Sequence, residues 1–181
     1  MERLRRECQI DIRITHFPLH PNTPEEGLTL EELFAGRNVN VSASQERMAK
    51  RMLQEGLAYG DRTMTYNSRL AQELATWAES RRDNREIHNA LFQAYFVRGI
   101  NLARVDELVR IAGQVGLSKE EAKEVLENRR FHDAVNVDWQ RSHALGVTGV
   151  PTFIVENRRV AGAQSYEVLK KLVLGAEPQS D

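Results

Sequence analysis

The sequence predicts an α/β fold in which a large all-helical segment interrupts a small core. Three observations predict it: a strand-like alternation near the amino end, a long stretch with helical periodicity, and a return to a strand pattern near the carboxyl end. The chain has 181 residues, enough for one domain of ordinary size that carries an insertion. Its net charge of −1 favours neither nucleic acid nor an anionic membrane surface as a partner.

The first predicted element is a strand over Gln9–Phe17. Three isoleucines alternate with polar residues there, so one face of the strand would meet the core and the other would meet water. Pro18, Pro21 and Pro24 follow and prevent the strand from continuing. The residues among these prolines therefore predict a loop.

Six helices are predicted in the next hundred or so residues, each from apolar residues at helical spacing. The first begins at a capping box, Ser42-Ala43-Ser44-Gln45. Ser118 caps the fifth, and the sixth runs from about Phe131 to Leu145 before Gly146 ends it. The second, third and fourth are marked by Leu70–Ala78, by a segment that opens at Asp83 and closes at Gly99, and by Val105–Ala112.

A β-hairpin is predicted after the helical block. Thr152–Val155 is β-branched and aromatic, Asn157-Arg158 is a turn, and Arg159–Ala161 is the return strand. Ser165 then caps a closing helix whose buried side includes Val168 and Leu169. The predicted order is strand, helical block, hairpin and helix.

The single cysteine excludes several kinds of chemistry. With Cys8 alone, the chain holds no internal disulfide, no Cys-x-x-Cys pair and no zinc site rich in thiolates. A lone cysteine is more often a small buried side chain than a nucleophile, so Cys8 is not assigned a catalytic role. The histidines lack an accompanying cluster of acids, and we predict no metal site. No apolar stretch approaches the ~20 residues of a membrane helix, which favours a cytoplasmic protein without membrane contact.

The most distinctive local pattern is the segment from Gly146 to Phe153, in which Pro151 begins a strand. Proline cannot donate a hydrogen bond to a β-ladder, so it lies where the backbone groups of the neighbouring residue stay available for hydrogen bonding. A cis bond before Pro151 would expose the backbone of Val150 as an edge for pairing. A trans proline on an edge strand is the more common alternative, and the residues by themselves leave both open.

Together with Gly162-Ala163-Gln164 and the closing helix, this segment resembles the carboxyl half of the DsbA-like thioredoxin-fold family, in particular its FrnE-like branch. Phe17–Pro21 and Tyr66–Ala71 are similar to that branch too. The resemblance implies a thioredoxin-like fold with a large all-helical insertion. Residues 1–41 and 146–176 would then form a partial thioredoxin-like core, residues 42–145 the helical insertion domain, and residues 177–181 a flexible tail.

The resemblance also implies that an amino-terminal portion of the fold is missing from these residues. In the family, a strand and a helix carrying Cys-x-x-Cys come first, and Met1–Glu7 looks like the end of that helix. The absent strand would lie between Ile10–Phe17 and Thr152–Val155, and its place would be a gap or would be filled by another chain.

What the resemblance implies about function is thiol–disulfide exchange by an oxidoreductase whose dithiol is not in this chain, so no catalytic residue is assigned. Pro151 would be the cis proline, and the Val150 backbone would bind substrate: a cysteine-containing protein or a small thiol. We expect no cofactor, and a homodimer is possible under this prediction. One alternative is an enzyme similar to kappa-class glutathione transferases or 2-hydroxychromene-2-carboxylate isomerases, with glutathione as cofactor. The other is a redox-inactive thioredoxin-like module that binds peptides.

Overall fold

The computed structural model describes residues 1–81 and 86–175 of the chain. Two compact units are present: Met1–Leu19 together with Val137–Asp181 form the first, and His20–Asn136 form the second. Both divisions lie earlier in the chain than the domain boundaries predicted after residues 41 and 145. The predicted tail 177–181 and the predicted start of the third helix at Asp83 lie outside the described residues.

The described part of the first unit contains a two-stranded antiparallel sheet, two whole helices and most of a third. Strands β3 (Thr152–Val155) and β4 (Arg158–Ala161) pair as predicted, with Val155 opposite Arg158. The turn therefore consists of Glu156 and Asn157, one residue earlier than predicted, and Glu156 adopts a left-handed φ of 55°. A positive φ in a two-residue turn matches the twist of the two strands that it joins.

Helices α1 (Glu2–Cys8) and α9 (Tyr166–Leu174) pack together in this unit. Their buried side chains are leucines, Leu4 from α1 with Leu169 and Leu172 from α9. The start of α9 is capped as predicted, because Ser165 Oγ accepts the backbone N–H of Val168 at 3.3 Å. Apolar burial thus holds α1 against the helix that follows the hairpin.

The predicted strand Gln9–Phe17 is wrong. Gln9 ends α1 in a left-handed conformation, and no regular secondary structure follows it up to Pro18. The alternation does reflect burial at first, since Ile10 and Ile12 are half-buried while Asp11 is exposed. The backbone, however, bonds to side chains of helix α8 (His132–Ala144) near the end of this segment and not to a neighbouring strand.

The second unit begins with short elements that the sequence pattern did not reveal. Strands β1 (Leu28–Thr29) and β2 (Met64–Thr65) pair antiparallel, and a one-turn helix, α2 (Leu30–Leu33), follows β1 directly. Thr29 and Glu32 form a reciprocal capping box at the start of α2. Two-residue strands are too short to show an alternating pattern, which explains why they were missed.

Helix α3 (Val41–Gln54) starts one residue before the predicted capping box. Its N-cap is Asn40, whose Oδ1 accepts the N–H of Ala43 at 2.9 Å. Ser42, the predicted cap, already lies inside the helix and its hydroxyl bonds to Glu46 at 3.3 Å. Asn and Ser are comparable caps, so the choice between two candidates that lie two positions apart depends on where the chain enters the helix.

The core of the second unit is helical and lies among α4 (Arg69–Glu79), α5 (Glu86–Phe92), α6 (Val105–Gln114) and α7 (Lys119–Glu127). A π-helical segment, Gln93–Val97, continues α5. The predicted apolar stripes supply the core, and its largest fully buried side chains are Trp77, Leu74, Ile87, Leu108 and Leu126. Ser118 caps α7 as predicted. Within the described parts of the chain, no helix is long and apolar enough to cross a membrane.

Glu73 is a buried carboxylate in this unit. Glu73 accepts hydrogen bonds from Arg129 Nη2 at 2.7 Å and from Arg69 Nε at 2.8 Å. Burial acts to raise the pKa of Glu73, but the hydrogen bonds from Arg129 and Arg69 outweigh burial, so its pKa is lowered overall. The side chain is therefore ionised and paired inside the helical core.

Candidate functional site

A cleft of about 430 Å³ lies in the first unit beside β3. Its lining comes from the irregular segment before Leu19, from the second half of α8, and from β3 with the loop that precedes it. Every second residue of the irregular segment and every second residue from Val150 to Glu156 line the cleft. The full lining is Asp11, Arg13, Thr15, Phe17, Arg141, Ser142, Leu145, Val147, Val150, Thr152, Ile154 and Glu156. None of the lining residues belongs to β4.

Both residues predicted to bind substrate are exposed at the start of this hairpin. Val150 lines the cleft, and Pro151, which follows it, does not. The Val150–Pro151 peptide bond is cis. The Pro151 carbonyl accepts the N–H of Gly162 at 2.8 Å, so the ladder between the two strands extends one pair beyond β3 and β4. The backbone of Val150 thus stands at the point where the loop becomes a strand.

A single arginine ties this loop to the end of α8. Arg159 Nη1 donates to the Leu145 carbonyl at 3.2 Å and to the Gly146 carbonyl at 3.4 Å. These carbonyls lie just beyond the last residue of α8, where the helix no longer supplies partners for backbone acceptors. Arg159 lies directly opposite Ile154 in the hairpin. Arg159 therefore connects the hairpin to the end of α8. The loop that carries Val150 runs along the chain between these two elements.

The wall opposite β3 is held in place by two side chains of α8. Asp138 accepts the backbone N–H of His16 at 3.1 Å, and Ser142 Oγ donates to the backbone C=O of the same residue at 2.9 Å. Arg13 adds a contact of 3.5 Å to Asp138. Ser142 is buried, so its hydroxyl serves this structural bond. The structure thus gives Ser142 a positioning role.

The ionic side chains that line the cleft balance one another. Asp11 and Glu156 contribute two negative charges, and Arg13 and Arg141 contribute two positive charges. Three large apolar side chains at the cleft are nevertheless exposed: Leu145 by 41%, Val150 by 49% and Ile154 by 36%. An uncharged, partly apolar ligand suits this lining better than an ion does.

Cys8 lies away from the residues that line the cleft. It is the last residue of α1 and is half-buried, whereas nucleophilic thiols commonly lie at the amino end of a helix. Among residues 1–81 and 86–175, no group of three or more His, Cys, Asp and Glu side chains is arranged to hold a metal ion.

The sequence predicts Val150 and Pro151 as substrate-binding residues, and it gives no role to Asp138 or Ser142. The latter two residues are spaced i and i+4 on α8, which is a common helical spacing and carries no functional signal by itself. Their partner, the backbone of His16, is more than a hundred positions away in the sequence. No local pattern could have identified that contact.

An exposed proline loop that opens a β-hairpin, a closing helix behind it and a large helical unit inserted in the chain define a thioredoxin-like protein of the DsbA type. The chain belongs to the DSBA-like thioredoxin domain family, whose model matches residues 1–173.

Two solved structures are similar to this chain. One is a probable DsbA oxidoreductase, SCO1869 from Streptomyces coelicolor, with 25% identity and a TM-score of 0.77 over 90% of this chain and 75% of that chain. The other is the cytosolic disulfide reductase DsbM from Pseudomonas aeruginosa with GSH, with 18% identity and a TM-score of 0.52 over 75% of this chain and 71% of that chain. At that identity, the second likeness concerns the fold alone.

A curated relative is the uncharacterized protein YwbO of Bacillus subtilis (strain 168). It is 30% identical over 105 residues, which are 58% of this chain and 52% of the Bacillus protein. The match thus spans about half the length of that relative.

Proposed function

We propose that this chain takes part in thiol–disulfide exchange and presents the Val150–Pro151 loop to a cysteine-containing substrate. The observation that carries the proposal is the exposed position of Val150 at the junction of loop and strand, beside a cleft, in a member of the DSBA-like family. An extended substrate segment would pair with the backbone of Val150 and place its cysteine near the loop. Val150 and Pro151 are thus substrate-binding residues in this proposal.

The reaction itself needs two thiols that these residues do not contain, since Cys8 is the only cysteine. In such exchange, a thiolate attacks one sulfur of a disulfide, the S–S bond breaks, and a mixed disulfide forms with release of the other sulfur as a thiolate. The second thiolate of the dithiol then attacks the mixed disulfide at the sulfur of the first, and the remaining substrate sulfur leaves as a thiolate. The dithiol becomes a disulfide, and the substrate disulfide becomes two thiols. We propose that the dithiol is supplied by residues outside these 181.

Loop binding is tested with a cysteine-containing peptide titrated against the ¹⁵N-labelled chain. We expect the amide signal of Val150 to shift, and we expect Pro151→Ala to weaken peptide binding about tenfold, which corresponds to ~1.4 kcal/mol. Pro21→Ala is the matched control, because Pro21 is also exposed and its carbonyl, which accepts from Asn67, is retained. Equal binding by both variants and the unmodified chain would argue against the loop as a substrate site.

The origin of the dithiol is tested by two further measurements. Insulin reduction by the 181 residues should be no faster than the buffer reaction, and Cys8→Ser should leave it unchanged. Turnover that depends on Cys8 would contradict the proposal. Translation of the reading frame before the Met1 codon should reveal Cys-x-x-Cys. A serine motif with binding of glutathione would instead favour the glutathione-using class, and neither motif would favour a redox-inactive peptide-binding module.

Two finer predictions accompany the proposal: a cytoplasmic location and a homodimer. Cell fractionation of a producing strain checks the location. Sedimentation of the purified chain over a range of concentrations checks the dimer.

A further inference from the structure

Another pocket, of about 400 Å³, lies in the helical unit and is formed by the ends of α4 and α7 and the residues that follow them. Its volume suits a small ligand. The described residues that line it are Trp77, Ser80, Arg81, Val125, Arg130 and Phe131. Three of these described residues are apolar or aromatic, two are arginines, and none is acidic. The pocket therefore combines positive charge with apolar surface.

The indole of Trp77 is a buried donor at this pocket. Trp77 is 2% exposed, and within residues 1–81 and 86–175 its Nε1 has no hydrogen-bond partner. A buried tryptophan usually finds an acceptor for this N–H, because the group has lost its hydrogen bonds to water. The guanidinium carbon of Arg81 lies 5.8 Å from the centroid of the Trp77 ring. An unpaired donor and a positive charge thus occur together in one lining.

Each arginine of the lining forms an ion pair that is open to solvent. Arg81 Nη2 lies 3.0 Å from Glu121 Oε2, and Arg130 Nη1 lies 3.1 Å from Glu124 Oε1. All four side chains are more than half exposed, and exposed pairs of this kind contribute little to stability. Neither glutamate is among the described lining residues. Because a guanidinium has five N–H donors, each arginine is able to bind an anion in the pocket as well.

The remaining side chains indicate what kind of anion would fit. A carboxylate accepts two parallel hydrogen bonds from one guanidinium, and it has further lone pairs for an indole N–H. Val125 is buried and Phe131 is half-buried at the pocket, so both offer apolar surface to a group attached to the carboxylate. An inorganic anion would satisfy the donors and leave this apolar surface uncovered.

From these observations we infer that the pocket binds a small organic anion, a carboxylate on a compact apolar group, through Arg81, Arg130 and the indole N–H of Trp77. The carboxylate supplies the acceptor that the Trp77 N–H lacks and offsets the positive charge of the lining. This inference goes beyond the proposed function, because it involves neither a thiol nor the Val150–Pro151 loop. It assigns a ligand site to the helical unit itself.

The probe is cyclohexanecarboxylate, added to the chain labelled with ¹⁵N and ¹³C, and its uncharged control is cyclohexanecarboxamide. Trp77 and Trp139 are the two tryptophans of the sequence, and triple-resonance spectra assign their indole N–H signals. We expect the Trp77 indole signal to shift with a dissociation constant of about 1 mM or lower, while the Trp139 signal stays in place. The carboxamide has a similar shape without the charge, and it should bind at least about tenfold more weakly.

Two glutamine variants test the arginines. Arg81→Gln and Arg130→Gln should each weaken binding of cyclohexanecarboxylate about fivefold. Arg110→Gln is the matched control: the Arg110 side chain is 58% exposed, against 53% for Arg81 and 57% for Arg130, and it pairs with Glu107 at 3.0 Å. Arg110 does not line the pocket, so this variant should bind as the unmodified chain does. Circular dichroism checks that all three variants are folded.

Three outcomes would overturn the inference: no shift of the Trp77 indole signal, equal affinity for the carboxamide, or equal affinities of the three glutamine variants for the carboxylate. Inorganic sulfate that binds as tightly as cyclohexanecarboxylate would contradict the part assigned to the apolar group. Pro151→Ala should leave the affinity for the carboxylate unchanged. The result is therefore distinguishable from failure of the proposed function.

Discussion

The carboxylate of Asp138 and the backbone N–H of His16 are joined by a hydrogen bond of 3.1 Å, although the residues lie 122 positions apart in the chain. One helical turn further along, Ser142 donates to the carbonyl of the same residue. Two side chains of one helix thus supply the hydrogen bonds that a neighbouring strand would have given to the backbone of His16. Asp138 and Ser142 thus fix the irregular segment, which forms one wall of the cleft, against helix α8.

Removing the hydroxyl of Ser142 should destabilise the first unit. In Ser142→Ala the buried donor to the His16 carbonyl is lost, and we expect the free energy of unfolding to fall by about 1–2 kcal/mol. Urea denaturation measures the change. Asp138→Asn keeps an acceptor oxygen for the His16 N–H and should cost less than Asp138→Ala. Equal losses in the two Asp138 variants would contradict the role given to that bond.

Glu73 should be among the most sensitive positions of the helical unit. Glu73→Ala leaves the guanidinium groups of Arg69 and Arg129 without their buried partner, and we expect a loss of about 3–5 kcal/mol. Glu127→Ala, which removes only a 3.8 Å contact of an exposed pair with Lys123, should change stability by less than about 0.5 kcal/mol. Thermal unfolding followed by circular dichroism compares the two. Similar losses would show that the buried cluster contributes little.

The same carboxylate should make stability depend on pH in the acid range. The pKa of Glu73 in the folded chain is lowered from its ordinary value of 4.5 despite burial, because Arg129 and Arg69 donate to the charged form. Its contribution is therefore complete above about pH 4.5 and is lost as the pH falls through the lowered folded pKa. Unfolding midpoints measured from about pH 7 to pH 3 should drop more steeply for the unmodified chain than for Glu73→Gln. Parallel curves would refute this assignment.

Two glycines outside helices and strands should respond differently to alanine. A Cβ at Gly60 would meet the backbone carbonyl of Val97, and the Gly60 N–H is bonded to Phe96, so the backbone is unable to move away freely. We expect Gly60→Ala to cost about 1–3 kcal/mol. A Cβ at Gly149 meets nothing within 4 Å, so Gly149→Ala should be nearly neutral. Chemical denaturation of both variants checks the difference, and a neutral Gly60→Ala would be the contrary result.

Helix α3 offers a direct comparison of two candidate caps. Asn40→Ala removes the acceptor for the Ala43 N–H and should cost about 1 kcal/mol. Ser42→Ala removes only an exposed hydroxyl contact with Glu46 and should cost less than about 0.5 kcal/mol. Urea titration of the two variants measures both. A larger loss for Ser42→Ala would restore the capping box that the sequence alone suggested.

Local chemistry predicted much of this fold. The caps at Ser118 and Ser165 and the strands of the hairpin depend on residues within a few positions of one another, and each was predictable from the sequence. The irregular segment at Ile10–Phe17 was not. Its alternation indicates which side chains are half-buried, but the partner of its backbone depends on contacts with α8 that no local pattern records.

The candidate site divides in the same way. Val150 and Pro151 were predicted to bind substrate from the resemblance to the family, at a position where proline starts a strand and cannot donate to the β-ladder. Asp138 and Ser142 were missed because their function depends entirely on a distant peptide group. The register of the hairpin differs by one turn residue between prediction and structure. Such a shift exchanges the residues of β3 that bond to β4 with those that do not, so the bonding pattern could not be assigned from sequence.

Arg159 has a consequence for the loop that carries Val150. By binding the carbonyls of Leu145 and Gly146 from its place in the hairpin, it closes the chain between helix and strand into a noncovalent ring. Cyclisation restricts the conformations that a peptide samples before it associates. A polypeptide that reaches Val150 therefore meets a preorganised surface, and less conformational entropy is lost on association than with an open loop of the same length.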